Sequence, residues 1–418
     1  MKVILLNTSE RTGGAAIAAN RLMKTLINNG IDAKTLVLNK QTNDENVISI
    51  QSSFIKRRIA QLNFLWERWV IFLYNHFSWK NLFRVSIANT GFDVSKHPLV
   101  KEADIIHIHW INQGFLSLRG LEKLIEMRKP IFWTMHDMWA CTGICHHARE
   151  CPNYQTQCHD CFYFIKPGHR DLSHRIFNRK KTIYQSGKII FITCSHWLKS
   201  NAEKSALLSG QKIFSIPNPI NTSLFRPMNK SLCRKKFNLP SDKKLILFGA
   251  VKISDERKGI HYLIKAIEFL SQKPEANNLE LIIFGKSNMN LSKISALKVN
   301  YLNFLSNEED IISMYNTADV YVTPSLEENL PNTIMEAAAC GVPCVGFNVG
   351  GIPEMIDHKS NGYVAEYKSS EDLANGIYRM LFEADHEQLS QNAGQKAINC
   401  YSEKIVAKQY INLYQQFS

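Results

Sequence analysis

Val320-Tyr321-Val322-Thr323-Pro324-Ser325-Leu326-Glu327-Glu328-Asn329-Leu330-Pro331-Asn332-Thr333-Ile334-Met335-Glu336-Ala337 reads as a strand, a turn and a helix in immediate succession. Val320 to Val322 is an apolar run, Pro324 ends it, and Asn332 to Ala339 reads as a short helix stopped by Gly341 and Pro343. That succession is the unit of an open parallel α/β sheet, in which ligands bind beyond the carboxyl ends of the strands. Glu328 and Glu336 fall at that edge. Carboxylates accept hydrogen bonds and repel phosphate, so paired acids beside basic loops suit the hydroxyl-bearing parts of a phosphorylated ligand. Spacing alone leaves a second reading open, with Glu328 in a solvated loop and Glu336 favoured by the helix dipole.

The same alternation runs through the whole chain. Val3 to Leu6, Thr35 to Leu38, Ile105 to His109, Ile131 to Thr134 and Ile189 to Cys194 are strand-like runs separated by longer amphipathic stretches. A second series follows Ile213 to Ile216, at Leu245 to Phe248, Leu279 to Phe284, Val299 to Phe304, Val320 to Thr323 and Cys344 to Phe347. Between the two series, Ile216-Pro217-Asn218-Pro219 blocks helix and marks a connector. The expected domains are 1–217, with a cysteine-rich insertion at 141–161, then 218–400, and a C-terminal amphipathic helix in 401–418. Two α/β domains of similar size predict a cleft suited to a two-substrate reaction.

Composition narrows the class. A chain of 418 residues with 45% hydrophobic and 21% charged residues is an ordinary globular protein. The apolar run at Val3 to Leu6 is too short for a signal peptide and reads as a first strand. No segment has the length of a membrane span, so the expected location is cytoplasmic, with peripheral contact at the inner face of a membrane. The net charge of +13 calls for anionic partners. The chain carries no helix-turn-helix, zinc-finger or RNA-binding signature, so nucleic acid is not expected.

Further candidates sit at strand ends. Gly13 and Gly14 precede a helix starting near Ala15 and would let backbone N–H groups approach an anion, although a tight turn explains them as well. Lys252, Arg257 and Lys258 follow the Leu245 strand and suit a diphosphate, unless they form a solvated basic loop. Gly350 and Gly351 follow the Cys344 strand in the same manner. His136 ends the Ile131 strand, where an imidazole can donate to a sugar hydroxyl or phosphate. His107 and His109 read as architectural. Cys145, Cys151, Cys158 and Cys161 are candidate ligands of a structural zinc, with an iron–sulfur centre or free thiols as the alternatives. Phe54 to Phe83 interleaves Trp66, Trp69, Phe72, Phe77 and Trp79 with Arg57, Arg58, Arg68 and Lys80, a pattern shared by membrane-interface helices and buried core helices.

Taken together, the Glu328-x7-Glu336 segment, its continuation through Gly341-Val342-Pro343 and Gly350-Gly351-Ile352-Pro353-Glu354, the Gly13-Gly14 loop, the Thr134-Met135-His136-Asp137 strand end and the Lys258-Gly259 loop resemble retaining glycosyltransferases of family 4. The resemblance covers nearly the whole chain. It implies a GT-B fold of two facing Rossmann-like domains with parallel sheets, and a C-terminal helix crossing back to the first domain. It also implies transfer of a sugar from a UDP- or GDP-sugar to a saccharide or polyprenyl-diphosphate-linked acceptor, with retention and without a catalytic metal or other cofactor, in capsule, exopolysaccharide or O-antigen synthesis. By position, Glu336 would hold the donor ribose and Glu328 the transferred sugar. Lys258 and Arg257 would neutralise the diphosphate, and Gly13 and Gly14 would approach it. His136 would contact the sugar, and Asn329, Leu330, Gly350 and Gly351 would complete the donor site. The implied catalytic set is Glu328, His136 and Lys258. The family usually has an arginine where this chain has Ala250, and Lys252 or Arg257 would substitute. A non-catalytic nucleotide-sugar or glycan-binding protein of the same fold is the alternative.

Overall fold

Strands with apolar residues on both faces require helices on both faces, and the chain meets that requirement in two separate parallel sheets. The computed structural model describes residues 1–286, 295–303, 305 and 307–417. The chain divides into two compact units, Met1–Asn218 joined by the C-terminal stretch from Val406, and Pro219–Ile405.

The first unit contains β1 (Lys2–Ser9), β2 (Asp32–Asn39), β3 (Val47–Ser49), β4 (Ile105–Ile108), β5 (Ile131–Met135), β6 (Ile190–Thr193) and β7 (Lys212–Ser215). They pair in the order β3-β2-β1-β4-β5-β6-β7, all parallel. The order reverses between β1 and β4, the topological switch point at which open sheets bind ligands. Helix α1 (Gly14–Asn28) leaves β1 there, and α2 (Phe54–Tyr74) follows β3.

Between β5 and the helix at Leu172–Gln185 the chain has little regular structure beyond two short 3-10 turns, Trp139–Cys141 and Asn153–Gln155. Side chains hold this segment instead. Asp137 accepts from Trp110 Nε1 at 3.0 Å, His146 Nδ1 at 2.7 Å and the Trp139 N–H at 2.8 Å. The buried Lys180 donates to the Trp139 and Thr142 carbonyls at 2.6 and 3.0 Å.

The second unit contains β8 (Lys244–Lys252), β9 (Leu279–Lys286), β10 (Val299–Leu302), β11 (Val320–Thr323), β12 (Cys344–Phe347) and β13 (Gly362–Ala365). They run parallel in the order β10-β9-β8-β11-β12-β13, with the reversal between β8 and β11. Helix α3 (Ile260–Ser271) follows β8 and α4 (Asn332–Ala339) follows β11. Strands β11 and β12 have the predicted bounds. Phe304, the predicted end of the β10 strand, lies outside the described residues. The strands β3 and β13 were not foreseen: both are edge strands with half-buried positions, unlike the fully buried β11 and β12.

The last helix, α5 (Glu403–Phe417), buries Tyr410, Leu413 and Tyr414 among Val3, Leu5, Leu22, Ile105 and Phe132 of the first unit. Its two hydroxyls reach polar groups inside that core. His107 Nδ1 lies 2.6 Å from the Tyr414 hydroxyl, and the Thr134 and Tyr410 hydroxyls lie 3.1 Å apart. Both Tyr414 and His107 are fully buried, so removing the hydroxyl strands an imidazole nitrogen away from water. Tyr414→Phe is expected to lower unfolding free energy by about 1–3 kcal/mol in urea titration; unchanged stability would show that this bond contributes nothing.

Candidate functional site

The loops that leave β8 and β11 meet at the switch point of the second sheet, and glycine permits the approach. Gly259, at φ 67°, would place a Cβ 1.8 Å from the Pro324 carbonyl oxygen, so a side chain there would force the loops apart. The Leu326 N–H donates to the Arg257 carbonyl at 2.7 Å. With the backbones so fixed, Lys258 Nζ donates to Glu328 Oε1 at 2.8 Å, both side chains keeping some exposure. Arg257 is gripped by Asp255 through Nε at 3.3 Å and a terminal nitrogen at 2.6 Å. Burial opposes the charge on Arg257, but the hydrogen bonds and charge of Asp255, with Glu328 and Glu327, hold its pKa above the ordinary value.

A third loop, after β12, closes on the same place. Gly350, at φ 59°, would put a Cβ 1.7 Å from the Glu328 carbonyl oxygen, and the Gly351 N–H donates to the Asn329 carbonyl at 2.8 Å. Glu336 lies buried on α4 and accepts from the Tyr315 hydroxyl at 2.8 Å. Leu330 is buried and belongs to the packing of the loop. Lys252 is exposed at the end of β8, and Ala250 is buried. Lys258, Arg257, Glu328, Asn329 and Gly350 are thereby brought into one laced set of loops. Tyr315 and Asp255, which position Glu336 and Arg257, were missed; Asp255 was visible as an acid two residues before the arginine in a tight turn.

In the first unit Gly13 caps α1 at φ 93°, a conformation that favours glycine, and a Cβ there would meet nothing within 4 Å. Backbone conformation, and not lack of space, is therefore what favours glycine at 13. His136 Nε2 lies 3.0 Å from His109 Nδ1, and His136 Nδ1 lies 3.6 Å from Cys194 Sγ. Burial, opposed by the Asp137 charge, lowers the His136 pKa to about 4. Burial lowers that of His107 to about 3 and that of His109 well below the ordinary value. His136 is thus a neutral hydrogen-bonding group at pH 7. His109, read from the sequence as architectural, touches His136 directly. The parallel pairing of β4 with β5 brings the ends of those two strands together.

Cys145, Cys158 and Cys161 are buried and Cys151 is half-buried, all as free thiols. Among the described residues, the ligand atoms that all lie within 4.8 Å of one another are those of His159, Asp160 and His169, and the four sulfurs do not form such a group.

Residues 12–224 match the family model described as Glycosyltransferase Family 4, and residues 229–399 match that for Glycosyl transferases group 1. The chain belongs to glycosyltransferase family 4. Among family members, the N,N'-diacetylbacillosaminyl-diphospho-undecaprenol alpha-1,3-N-acetylgalactosaminyltransferase of Campylobacter jejuni is 29% identical over 52% of this chain and 58% of its own length. The chain spans about half the length of the curated relatives it matches. The sucrose-phosphate synthase of Thermosynechococcus elongatus has a similar structure at TM-score 0.67 and 19% identity, covering 100% of this chain and 99% of that one. Anabaena HepE, solved in complex with UDP, superposes at TM-score 0.63 and 16% identity over 100% of both chains. The fold is the two-domain α/β GT-B fold of these glycosyltransferases.

The neutral histidines set a pH dependence. An unfolded histidine titrates near 6.5, so below that pH the unfolded chain binds protons that folded His107, His109 and His136 refuse. Their contribution to stability is present above pH 6.5 and is lost as pH falls toward about 4. Urea titrations at pH 7.5 and pH 5 should show a clear loss at the lower pH that is smaller in His136→Gln; an equal loss in both would remove His136 from this account.

Proposed function

We propose that the chain transfers a sugar from a UDP- or GDP-sugar to a saccharide or polyprenyl-diphosphate-linked acceptor, with retention, in bacterial surface polysaccharide synthesis. The observation that carries this reading is the Lys258–Glu328 pair beside Arg257 at the switch point of the second sheet, with Glu336 on the helix that follows β11. A partly exposed lysine can exchange a carboxylate partner for a diphosphate oxygen. Glu328 is then left to accept hydrogen bonds from sugar hydroxyls, and Glu336, held by Tyr315, accepts from the ribose.

In the reaction the bond from the anomeric carbon to the β-phosphate oxygen breaks, a bond to the acceptor oxygen forms, and the hydroxyl proton leaves with the diphosphate. Negative charge grows on the leaving group, where Lys258 and Arg257 stabilise it. Fixed cations at that point give the chemistry a charge partner without a catalytic metal. Support for the donor and acceptor classes comes from HepE, solved with UDP, and from the Campylobacter relative, named for a diphospho-undecaprenol acceptor. The expected workplace is the cytoplasmic face of the membrane that carries such an acceptor.

A structural zinc at the cysteine tetrad is proposed alongside. Cys145, Cys158 and Cys161 are buried and Cys151 is half-buried, all within one irregular segment. Cys158 Sγ accepts the Gly143 N–H at 3.2 Å and Cys161 accepts the Tyr163 N–H, donors that suit sulfur ligands in a metal site. Binding would draw the sulfurs together in a segment otherwise poor in regular structure.

Lys258→Ala should leave the fold intact and lower transfer on the order of 100-fold to 1,000-fold across a panel of UDP- and GDP-sugars with lipid-linked saccharides. EDTA should leave turnover unchanged. Donor binding with no transfer or hydrolysis in wild type would favour the non-catalytic alternative. Purified protein should carry about one zinc per chain, lost in Cys158→Ser; a metal-free protein with four titratable native thiols would contradict the zinc site.

A further inference from the structure

Helix α2 buries a charged pair and exposes large apolar side chains. Its inward residues include the ion pair Glu67 and Arg68, 0% and 5% exposed, joined at 2.9 Å. Glu67 accepts the Ile87 and Ala88 N–H groups at 2.8 and 2.9 Å, and Arg68 donates to the Leu82 and Val85 carbonyls at 2.5 and 3.0 Å. This ion pair, with Ala60 and Ile71, fastens the helix to the domain, while Leu62, Leu65, Trp66 and Trp69 of the same helix face out. Trp66, Trp69 and the nearby Trp79 are 58%, 49% and 76% exposed. Among the described residues, twelve of the twenty-four exposed large apolar side chains lie between Phe54 and Phe83. Five of them, Leu62, Leu65, Trp66, Trp69 and Trp79, line a groove of about 570 Å³ together with Phe72 and the polar Asn63, Arg68 and Thr90. Soluble monomers rarely expose apolar patches of this extent without a partner.

Charge selects the partner. Between Ser52 and Arg84 the chain has six basic residues, Lys56, Arg57, Arg58, Arg68, Lys80 and Arg84, and one acid, Glu67, which is buried and paired. Every exposed Lys, Arg, Asp or Glu of this stretch is therefore positive. Arg58 lies one turn before Leu62, on the same side of the helix as the groove. A second copy of the chain would bring two cationic faces together, whereas an anionic bilayer offers both hydrocarbon and negative charge. No helix among the described residues is long and apolar enough to cross a membrane. We infer that α2 and the Phe77–Trp79 segment dock into the interface of an anionic lipid bilayer, with one hydrocarbon chain in the groove and lipid phosphates on Lys56, Arg57 and Arg58. This deepens the proposed function at its acceptor end, by naming the surface that meets the membrane.

Co-sedimentation with phosphatidylglycerol vesicles tests it, alongside quenching of tryptophan fluorescence by lipids brominated along their chains. Wild type should bind, far more weakly to phosphatidylcholine and at high salt. Changing Lys56, Arg57 and Arg58 together to Ala should weaken binding on the order of 100-fold. Trp66→Ser with Trp69→Ser should weaken binding and remove most quenching while the melting temperature stays put, since both side chains face solvent. Failure to bind either vesicle, or binding unchanged in both variants, overturns the inference. A dimer in sedimentation velocity that the tryptophan variant dissociates does so as well, by assigning the surface to a second copy. The thermal shift with UDP, read in the same variants without lipid, reports the donor site separately, so each reading fails by its own measurement.

Discussion

A 2.8 Å ion pair between Lys258 and Glu328 occupies the place where the second sheet reverses its strand order, and three loops are shaped around it. Parallel strands deliver their loops to one edge, and reversal of the order leaves a crevice between the helices that follow. Glycine at 259 and 350 then lets the loop backbones approach to distances that a Cβ would forbid. The loops are consequently pre-organised by the backbone. The charged groups are held in place before any ligand arrives, which is the condition for electrostatic stabilisation to act in a reaction.

The site divides its labour by burial. Glu336 is buried on a helix and held by a tyrosine hydroxyl, so its position is set by packing. Glu328 and Lys258 keep contact with solvent, so their bond can be exchanged for bonds to a ligand. Arg257 stands between these cases, clamped by Asp255 yet facing Glu327 and Glu328. In the first unit His107, His109 and His136 are neutral because they are buried. They contribute hydrogen bonds there, and charge comes from elsewhere.

Much of this was legible in the residues, for stated reasons. Strands β11 and β12 and helix α4 carry their own boundaries, since Pro324, Gly341 and Pro343 stop them and every residue of the strands is buried. The edge strands β3 and β13 are only partly buried, so neither stands out as a continuous apolar run, and both were missed. The acids, the basic loop and the glycines could be placed at one edge because strand and helix alternate. Their pairing could not, because the Lys258–Glu328 bond spans 70 residues and depends on three-dimensional loop contact. The contact of His109 with His136 was hidden for the same reason. For α2, the aromatic and basic composition was visible, but not which face looks inward. Only the bonds of Glu67 and Arg68 to backbone groups decide that this one charged pair is buried.

The central claim is that Glu328 serves the sugar and Lys258 the diphosphate, although the two are bonded to each other in the free protein. Titration calorimetry with UDP, set beside sugar-transfer assays, separates those roles in Glu328→Gln. The account predicts UDP affinity at or above that of wild type, since a carboxylate competing for Lys258 is gone, together with transfer lowered on the order of 100-fold. Lost UDP binding with transfer retained would contradict it.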